Sequence, residues 1–282
     1  MDDSKLRALL TAVQCGSFGK AAAQLGVPTA VHESNAVPGL TTKMLEGSMD
    51  AVMVGFEESR QNYRHPDRVV VTGTPVRMDF LSEDRETARR ELGIPEGRPL
   101  VASVWGSLGA AHMNEIMTDF IVRACANPFF SVIHSAGKGG YKRMAETLES
   151  EKPDYRERGM DVRDYIYDMP RVMAAADLVL CRAGASTLAE LTAMGKPAVL
   201  IPSPNVTNNH QERNARVLEA AGGAQVLLEG EFTADSLLGL VSELLHRPER
   251  LRSMSEAMKG LAVTDATERI ASLVLSLADG RK

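Results

Sequence analysis

Short apolar runs alternate with amphipathic segments from Pro28 onward, and this alternation limits the fold more than any other feature of the chain. Thr29–His32, Ala51–Gly55, Val69–Gly73, Leu100–Trp105, Ser131–Ser135, Asp177–Cys181, Ala198–Ile201 and Gln225–Leu228 read as buried strands. Between them, Gly109–Ala124, Ser186–Met194 and Gln211–Ala221 carry helical patterning. Strands that feed helices that feed strands build βαβ units, and these make an α/β fold with a parallel sheet covered on both faces. In such sheets ligands bind where strand carboxyl ends run into loops and helices. The chain ends differently: Ser236–Leu245, Pro248–Leu261 and Thr264–Leu277 read as consecutive helices.

With 44% hydrophobic residues the 282-residue chain can bury a core. Its net charge of -5 argues against a surface built for nucleic acid. The three cysteines, Cys15, Cys125 and Cys181, form no CxxC pair, so the expectation is reduced cytosolic thiols, with neither a disulfide framework nor a zinc site. The opening residues lack a signal-peptide pattern, and no apolar run approaches the ~20 residues that span a bilayer.

Five stretches carry the candidate chemistry. At Cys181–Glu190 an apolar strand enters a small-residue turn and then a helix. The free N–H groups of such a helix start attract a bound anion, Thr187 adds a hydroxyl, and Glu190 offers an acceptor for ribose hydroxyls. An ordinary βα turn with a capping-box acid reads equally well from this segment alone. Pro202–Asn214 is crowded with amides around His210 and Gln211, a donor and acceptor set suited to sugar hydroxyls. Trp105–Ala110 places a second Gly-rich turn after a strand. His32-Glu33-Ser34-Asn35 puts imidazole, carboxylate and amide side by side. It reads either as acid–base machinery, with His32 and Glu33 the catalytic candidates, or as Ser34 or Asn35 capping the next helix. Arg77, just beyond a strand, is either a phosphate partner or a solvated surface residue. No DxD element suggests a metal bridging a diphosphate.

Taken together, HESNAVPGLT at His32–Thr41, RAGASTLAEL at Arg182–Leu191, IPSPNVTNNHQERNA at Ile201–Ala215 and DATERI at Asp265–Ile270 resemble the MurG family of bacterial glycosyltransferases. That family moves GlcNAc from UDP-GlcNAc to the C4 hydroxyl of lipid-linked MurNAc-pentapeptide, the step from lipid I to lipid II in peptidoglycan synthesis. The resemblance implies a GT-B fold of two Rossmann-like domains and an inverting reaction that needs no metal or cofactor. It also implies a cytoplasmic location, peripheral on the inner face of the membrane. Carried over by position, the backbone of Ile166 meets the uracil edge and Glu190 holds the ribose. Ser107, Arg77, Ala185, Ser186 and Thr187 surround the diphosphate. His210 and Gln211 contact GlcNAc, with Asn35 nearby.

Against the family pattern, the opening strand with its GGTGGH loop is missing, Trp105 stands in place of a glycine of the GGS turn, and Thr74 in place of the Asn of GNPVR. The expected organisation is a remnant of the acceptor-side domain at residues 1–78, a donor-binding domain at 79–263, and a final helix at 264–282 that returns toward the first domain. Ile270, Leu273 and Leu277 are expected to leave an apolar face open there. Three functions follow: an active transferase, alone or with a separate acceptor-domain chain; a UDP-GlcNAc-binding module without catalysis; or DNA binding. The last rests on Leu6–Val27, which is similar to the opening helices of a LysR-type domain in a chain with little basic charge for phosphates.

Overall fold

The computed structural model describes residues 3–106 and 110–280. The chain divides into two compact units, one formed by residues 1–75 with 263–282 and the other by residues 76–262.

The smaller unit opens with α1 (Asp3–Cys15) and α2 (Phe18–Leu25). Gly16 takes a positive φ of 61°, and Ser17 caps α2 by accepting from the Lys20 N–H, so the segment breaks into two helices. There follow β1 (Ala30–Glu33), α3 (Leu40–Leu45), β2 (Ala51–Val54) and β3 (Val69–Val71). The strands pair in parallel in the order β1-β2-β3, with Val31 opposite Val52 and Val52 opposite Val69. Val52, Val54, Val69, Met49 and Tyr63 form the core.

The larger unit runs α4 (Met78–Ser82), α5 (Arg85–Glu91), β4 (Leu100–Val104), α6 (Ala111–Ala124), β5 (Ser131–Ser135), α7 (Tyr141–Glu151), β6 (Met160–Arg163), α8 (Met169–Ala175), β7 (Leu178–Cys181), α9 (Ala185–Met194), β8 (Ala198–Leu200), α10 (His210–Ala220), β9 (Ala224–Val226), α11 (Ala234–Leu245) and α12 (Pro248–Gly260). Its six strands form one parallel sheet in the order β6-β5-β4-β7-β8-β9. β4, β5, β7 and β8 are almost wholly buried, as a sheet covered on both faces demands. α6 packs with α7 and α11, while α9 packs with α10 and α12, and α8 with α4 and α5. Phe120, Phe130, Met117 and Leu178 fill the core beneath the first group. Asp177, just before β7, accepts from the Leu100 N–H at 2.8 Å and pairs with Arg85 and Arg89 of α5, pinning that helix to the sheet's amino edge. The final helix α13 (Ala266–Ala278) belongs to the smaller unit. There Ile270, Leu273 and Leu277 are half-buried, because Leu273 and Leu277 line a groove with α2; Val274 and Leu275 are the exposed apolar residues instead.

One polar chain crosses the core of the larger unit. Ser103 of β4 and His134 of β5 are register partners, so their side chains share a face. Trp105 Nε1–H donates to Ser103 Oγ at 2.8 Å, and Ser103 Oγ lies 2.9 Å from His134 Nδ1. His134 Nε2 lies 3.2 Å from Asn114 Oδ1, and Asn114 Nδ2–H donates to the Ala136 carbonyl at 2.7 Å. An amide oxygen only accepts, so Nε2 carries the imidazole proton and Ser103 donates to Nδ1. Every link is satisfied, which is what a buried polar network requires. Burial pushes the His134 pKa down to about 3.

Ser103→Ala strands the indole N–H and imidazole Nδ1 in the core, and we expect it to cost about 1–3 kcal/mol in urea unfolding. His134 titrates at about 3 when folded and near its ordinary 6.5 when unfolded, so the unfolded chain binds the extra proton. Stability is therefore present above pH 6.5 and lost as the pH falls from there toward 3. The urea midpoint should fall more steeply over that acid range in the wild type than in His134→Gln.

Candidate functional site

β4 and β7 are adjacent, but α6 leads from β4 to β5 on one side, while α9 leads from β7 to β8 on the other. Their carboxyl ends therefore open a crevice, the position at which doubly wound sheets take ligands. A cleft of about 570 Å³ lies there, lined by the turns after β4 and β7 and by the loop after β8.

α9 starts at the cleft. Its N-cap is Gly184, with no side chain capping the first amides, so the N–H groups of Ala185, Ser186 and Thr187 stand at the positive end of the helix dipole. Asn214 of α10 is wholly buried and donates to the Ala183 carbonyl at 3.2 Å, holding this turn from behind. Thr187 lines the cleft. Glu190 lies one turn further along α9. Burial pushes its pKa up to about 7, with Arg77 pulling it down and Asp79 pushing it up. Arg77 is exposed, pairs with Asp79 at 3.4 Å and lies over the Phe80 ring at 5.1 Å. Cys181, at the end of β7, is pushed up to about 12 by burial and by Glu190, and its thiol stays protonated.

The loop after β8 is held on both sides. Asn208 and Asn209 both take left-handed backbone, at φ 56° and 50°, conformations that Asn tolerates better than most residues. His210 Nδ1–H donates to the Thr207 carbonyl at 2.8 Å, and Gln211 Oε1 accepts from the Ser203 N–H at 2.9 Å. Gln211 lines the cleft. Arg182, at the end of β7, donates to the carbonyls of Ile201 and Pro202 at 3.1 and 3.2 Å and pairs with Glu229 at 2.5 Å. The Trp105 ring covers its guanidinium at 5.6 Å.

Ile166 sits in the segment between β6 and α8, and its side chain is buried. Tyr165 and Tyr167 flank it with exposed rings, 4.8 Å apart and edge to face. Ser107 lies outside the described residues. In the smaller unit, Glu33 accepts four hydrogen bonds: from the Asn35 N–H and side-chain amide, the Gly39 N–H and the Thr42 hydroxyl, at 2.9–3.1 Å. Burial alone would raise its pKa, but these donors outweigh it and hold the carboxyl below its ordinary range. The α3 N-cap is Gly39 rather than Ser34 or Asn35, and Glu33 supplies the capping oxygen. His32 Nε2–H donates to the Gly73 carbonyl at 2.9 Å, which leaves Nδ1 toward the Ser34 hydroxyl at 3.4 Å.

The site therefore includes residues that sequence patterning did not single out. Arg182 and Asn214 stand inside motifs without a role of their own, Trp105 opens a Gly-rich turn and departs from the family pattern, and Glu229 carries no local signal. Among the described residues no group of His, Cys, Asp and Glu is arranged to hold a metal ion. No described helix is long and apolar enough to cross a membrane.

The model of the glycosyltransferase family 28 C-terminal domain matches residues 101–270. The UDP-N-acetylglucosamine--N-acetylmuramyl-(pentapeptide) pyrophosphoryl-undecaprenol N-acetylglucosamine transferase of Acetivibrio thermocellus is 41% identical over 92% of this chain and 69% of its own length. The enzyme of the same name from Thermoanaerobacter sp. (strain X514) is 41% identical over 93% of this chain and 71% of its own. In fold, the chain is similar to the crystal structure of Acinetobacter baumannii MurG, with a TM-score of 0.73 at 24% identity over 95% of this chain and 76% of that one. It is also similar to a Neisseria meningitidis UDP-GlcNAc 2-epimerase bound to UDP-GlcNAc, with a TM-score of 0.62 at 16% identity over 92% and 72% of the two chains. The parallel sheets, the crevice at the strand ends and these relationships together make the chain a member of glycosyltransferase family 28, in its MurG branch.

Proposed function

We propose that the larger unit binds UDP-GlcNAc and that the chain transfers its GlcNAc to the C4 hydroxyl of lipid-linked MurNAc-pentapeptide, with inversion at C1. The observation that carries this reading is the uncapped start of α9 at the β4/β7 crevice, with Glu190 one turn behind it. The amides of Ala185, Ser186 and Thr187 suit a diphosphate, and Arg77 adds positive charge near Glu190. In this reading Glu190 accepts from the ribose hydroxyls, the backbone of Ile166 meets the uracil edge between two tyrosine rings, and His210 and Gln211 read the sugar. Ser107 completes the diphosphate set. As the acceptor's C4 oxygen bonds to C1 and loses its hydroxyl proton to water, the C1–O bond to UDP breaks and its electrons pass to the β-phosphate. Helix amides, fixed by the helix itself, meet that charge without reorganising, and Arg77 adds its own charge on leaving Asp79. His32, Glu33 and Asn35 belong to the acceptor side in this reading. Glu33 shapes the loop, since all its bonds go to its own neighbours. The acceptor's lipid carrier implies work at the cytoplasmic face of a membrane.

Calorimetric titration with UDP-GlcNAc, followed by a transfer assay with the lipid-linked acceptor in detergent, tests the proposal. Saturable binding that Glu190→Ala weakens by about tenfold or more, together with transfer, is expected. Binding without transfer would identify a donor-binding module, and no binding to the folded chain would reject the reading. Ribose hydroxyls donate best to an ionised carboxyl. Donor affinity should therefore rise as the pH increases through about 7, the Glu190 pKa, and Glu190→Gln should remove that rise.

A further inference from the structure

We propose that Trp105, Arg182 and Glu229 form one positioning unit on the cleft wall that sets sugar discrimination by holding the loop after β8. The inference rests on the donor-binding reading above and assigns one of its properties, sugar choice, to the contacts these three residues make with one another and with the loop after β8. Arg182 lies where three segments of the larger unit meet. Glu229, after β9, pairs with it at 2.5 Å, and both side chains are mostly buried, at 15% and 13% exposure. The carbonyls of Ile201 and Pro202 accept from the same guanidinium nitrogen at 3.1 and 3.2 Å. The Trp105 ring covers the guanidinium from the turn after β4.

Each contact uses a different property of the guanidinium: its charge, its fixed donor directions and its flat face. The carbonyls it holds open the loop after β8, and the next residue, Ser203, donates to Gln211. A shift of Arg182 therefore passes through two residues of backbone to a side chain on the cleft wall. Trp105 cannot drift to follow it, because its N–H is fixed to Ser103 and, through Ser103, to His134 and Asn114. The diphosphate end depends on other supports: Asn214 holds the turn before α9, and the α9 amides belong to the helix itself. Loosening the unit should therefore change the choice of sugar and leave the nucleotide's hold intact.

Trp105 is the sole tryptophan of the chain, so its emission reports on the unit directly. The test titrates wild type and Glu229→Gln with UDP, UDP-GlcNAc and UDP-glucose, and records emission without ligand. In Glu229→Gln, UDP affinity should stay within about twofold, and the preference for UDP-GlcNAc over UDP-glucose should fall by about tenfold or more, since displacements near 1 Å cost up to about 100-fold. The ligand-free emission should shift to the red as Arg182 leaves the ring and water reaches it. Trp105→Ala should lose the preference in the same way, and Trp105→Phe, which keeps a ring over Arg182 but not the N–H that anchors it to Ser103, should fall between Trp105→Ala and the wild type. An unchanged preference in either folded variant, Glu229→Gln or Trp105→Ala, overturns the proposal. Equal losses for UDP and both sugars also overturn it, because they would show a merely structural role. A wild-type chain that binds no UDP rejects the donor reading itself, and this inference with it.

Discussion

The larger unit depends on the place where its sheet changes direction. β4 and β7 are neighbours in the sheet but belong to connections that run opposite ways, so the connecting helices α6 and α9 diverge from the gap between their carboxyl ends. The turns after β4 and β7 must both face that gap. In a parallel sheet buried on both faces, interior positions are spent on packing, and Leu178, Val179 and Leu180 are examples. Apart from the Ser103–His134–Asn114 chain, polar groups gather at the ends, where α9 begins without a side-chain cap and Arg182 turns toward Glu229. The crevice follows from topology, and its side chains decide what it accepts.

Most of this scaffold was legible because buried strands announce themselves. Leu100–Val104, Ser131–Ser135 and Leu178–Cys181 are apolar enough, and bounded sharply enough, to be read within a residue or two of where they lie. β6 escaped because it is an edge strand whose burial alternates, with Asp161 and Arg163 at its half-buried positions, and this leaves no apolar run to see. At the other extreme, Leu6–Val27 is similar to a pair of opening helices, and the break between the two falls at Gly16, whose positive φ no periodicity encodes.

The site was legible in its local motifs and silent in its long-range supports. A turn such as Gly184-Ala185-Ser186-Thr187 shows its character in adjacent residues. The supports of Trp105 do not: Ser103, His134 and Asn114 become neighbours only because β4 and β5 pair in register under α6. Arg182 and Glu229 likewise meet only after β8, α10 and β9 have been laid down between them. The fold gives the indole a buried hydrogen bond and a cation to cover, so it is accommodated at the rim of the crevice.

Charge explains why so acidic a chain can still present an anion site. The net charge of -5 is spread over the surface, where solvent and salt screen it. At the crevice the attraction comes from aligned peptide groups, which carry no net charge and need no counterion. Arg182 stands at the same place, but Glu229 neutralises it, so its role there is geometric. Glu190 completes the balance. Burial holds its carboxyl near pH 7, close to half-ionised at neutrality, so a full negative charge does not stand permanently behind amides that face a diphosphate. A carboxyl in that state gives up its proton most easily when hydroxyls arrive to bond the charged form. In the proposed donor-binding reading, ligand binding and ionisation of Glu190 are one coupled event, and the burial that raises its pKa is what couples them.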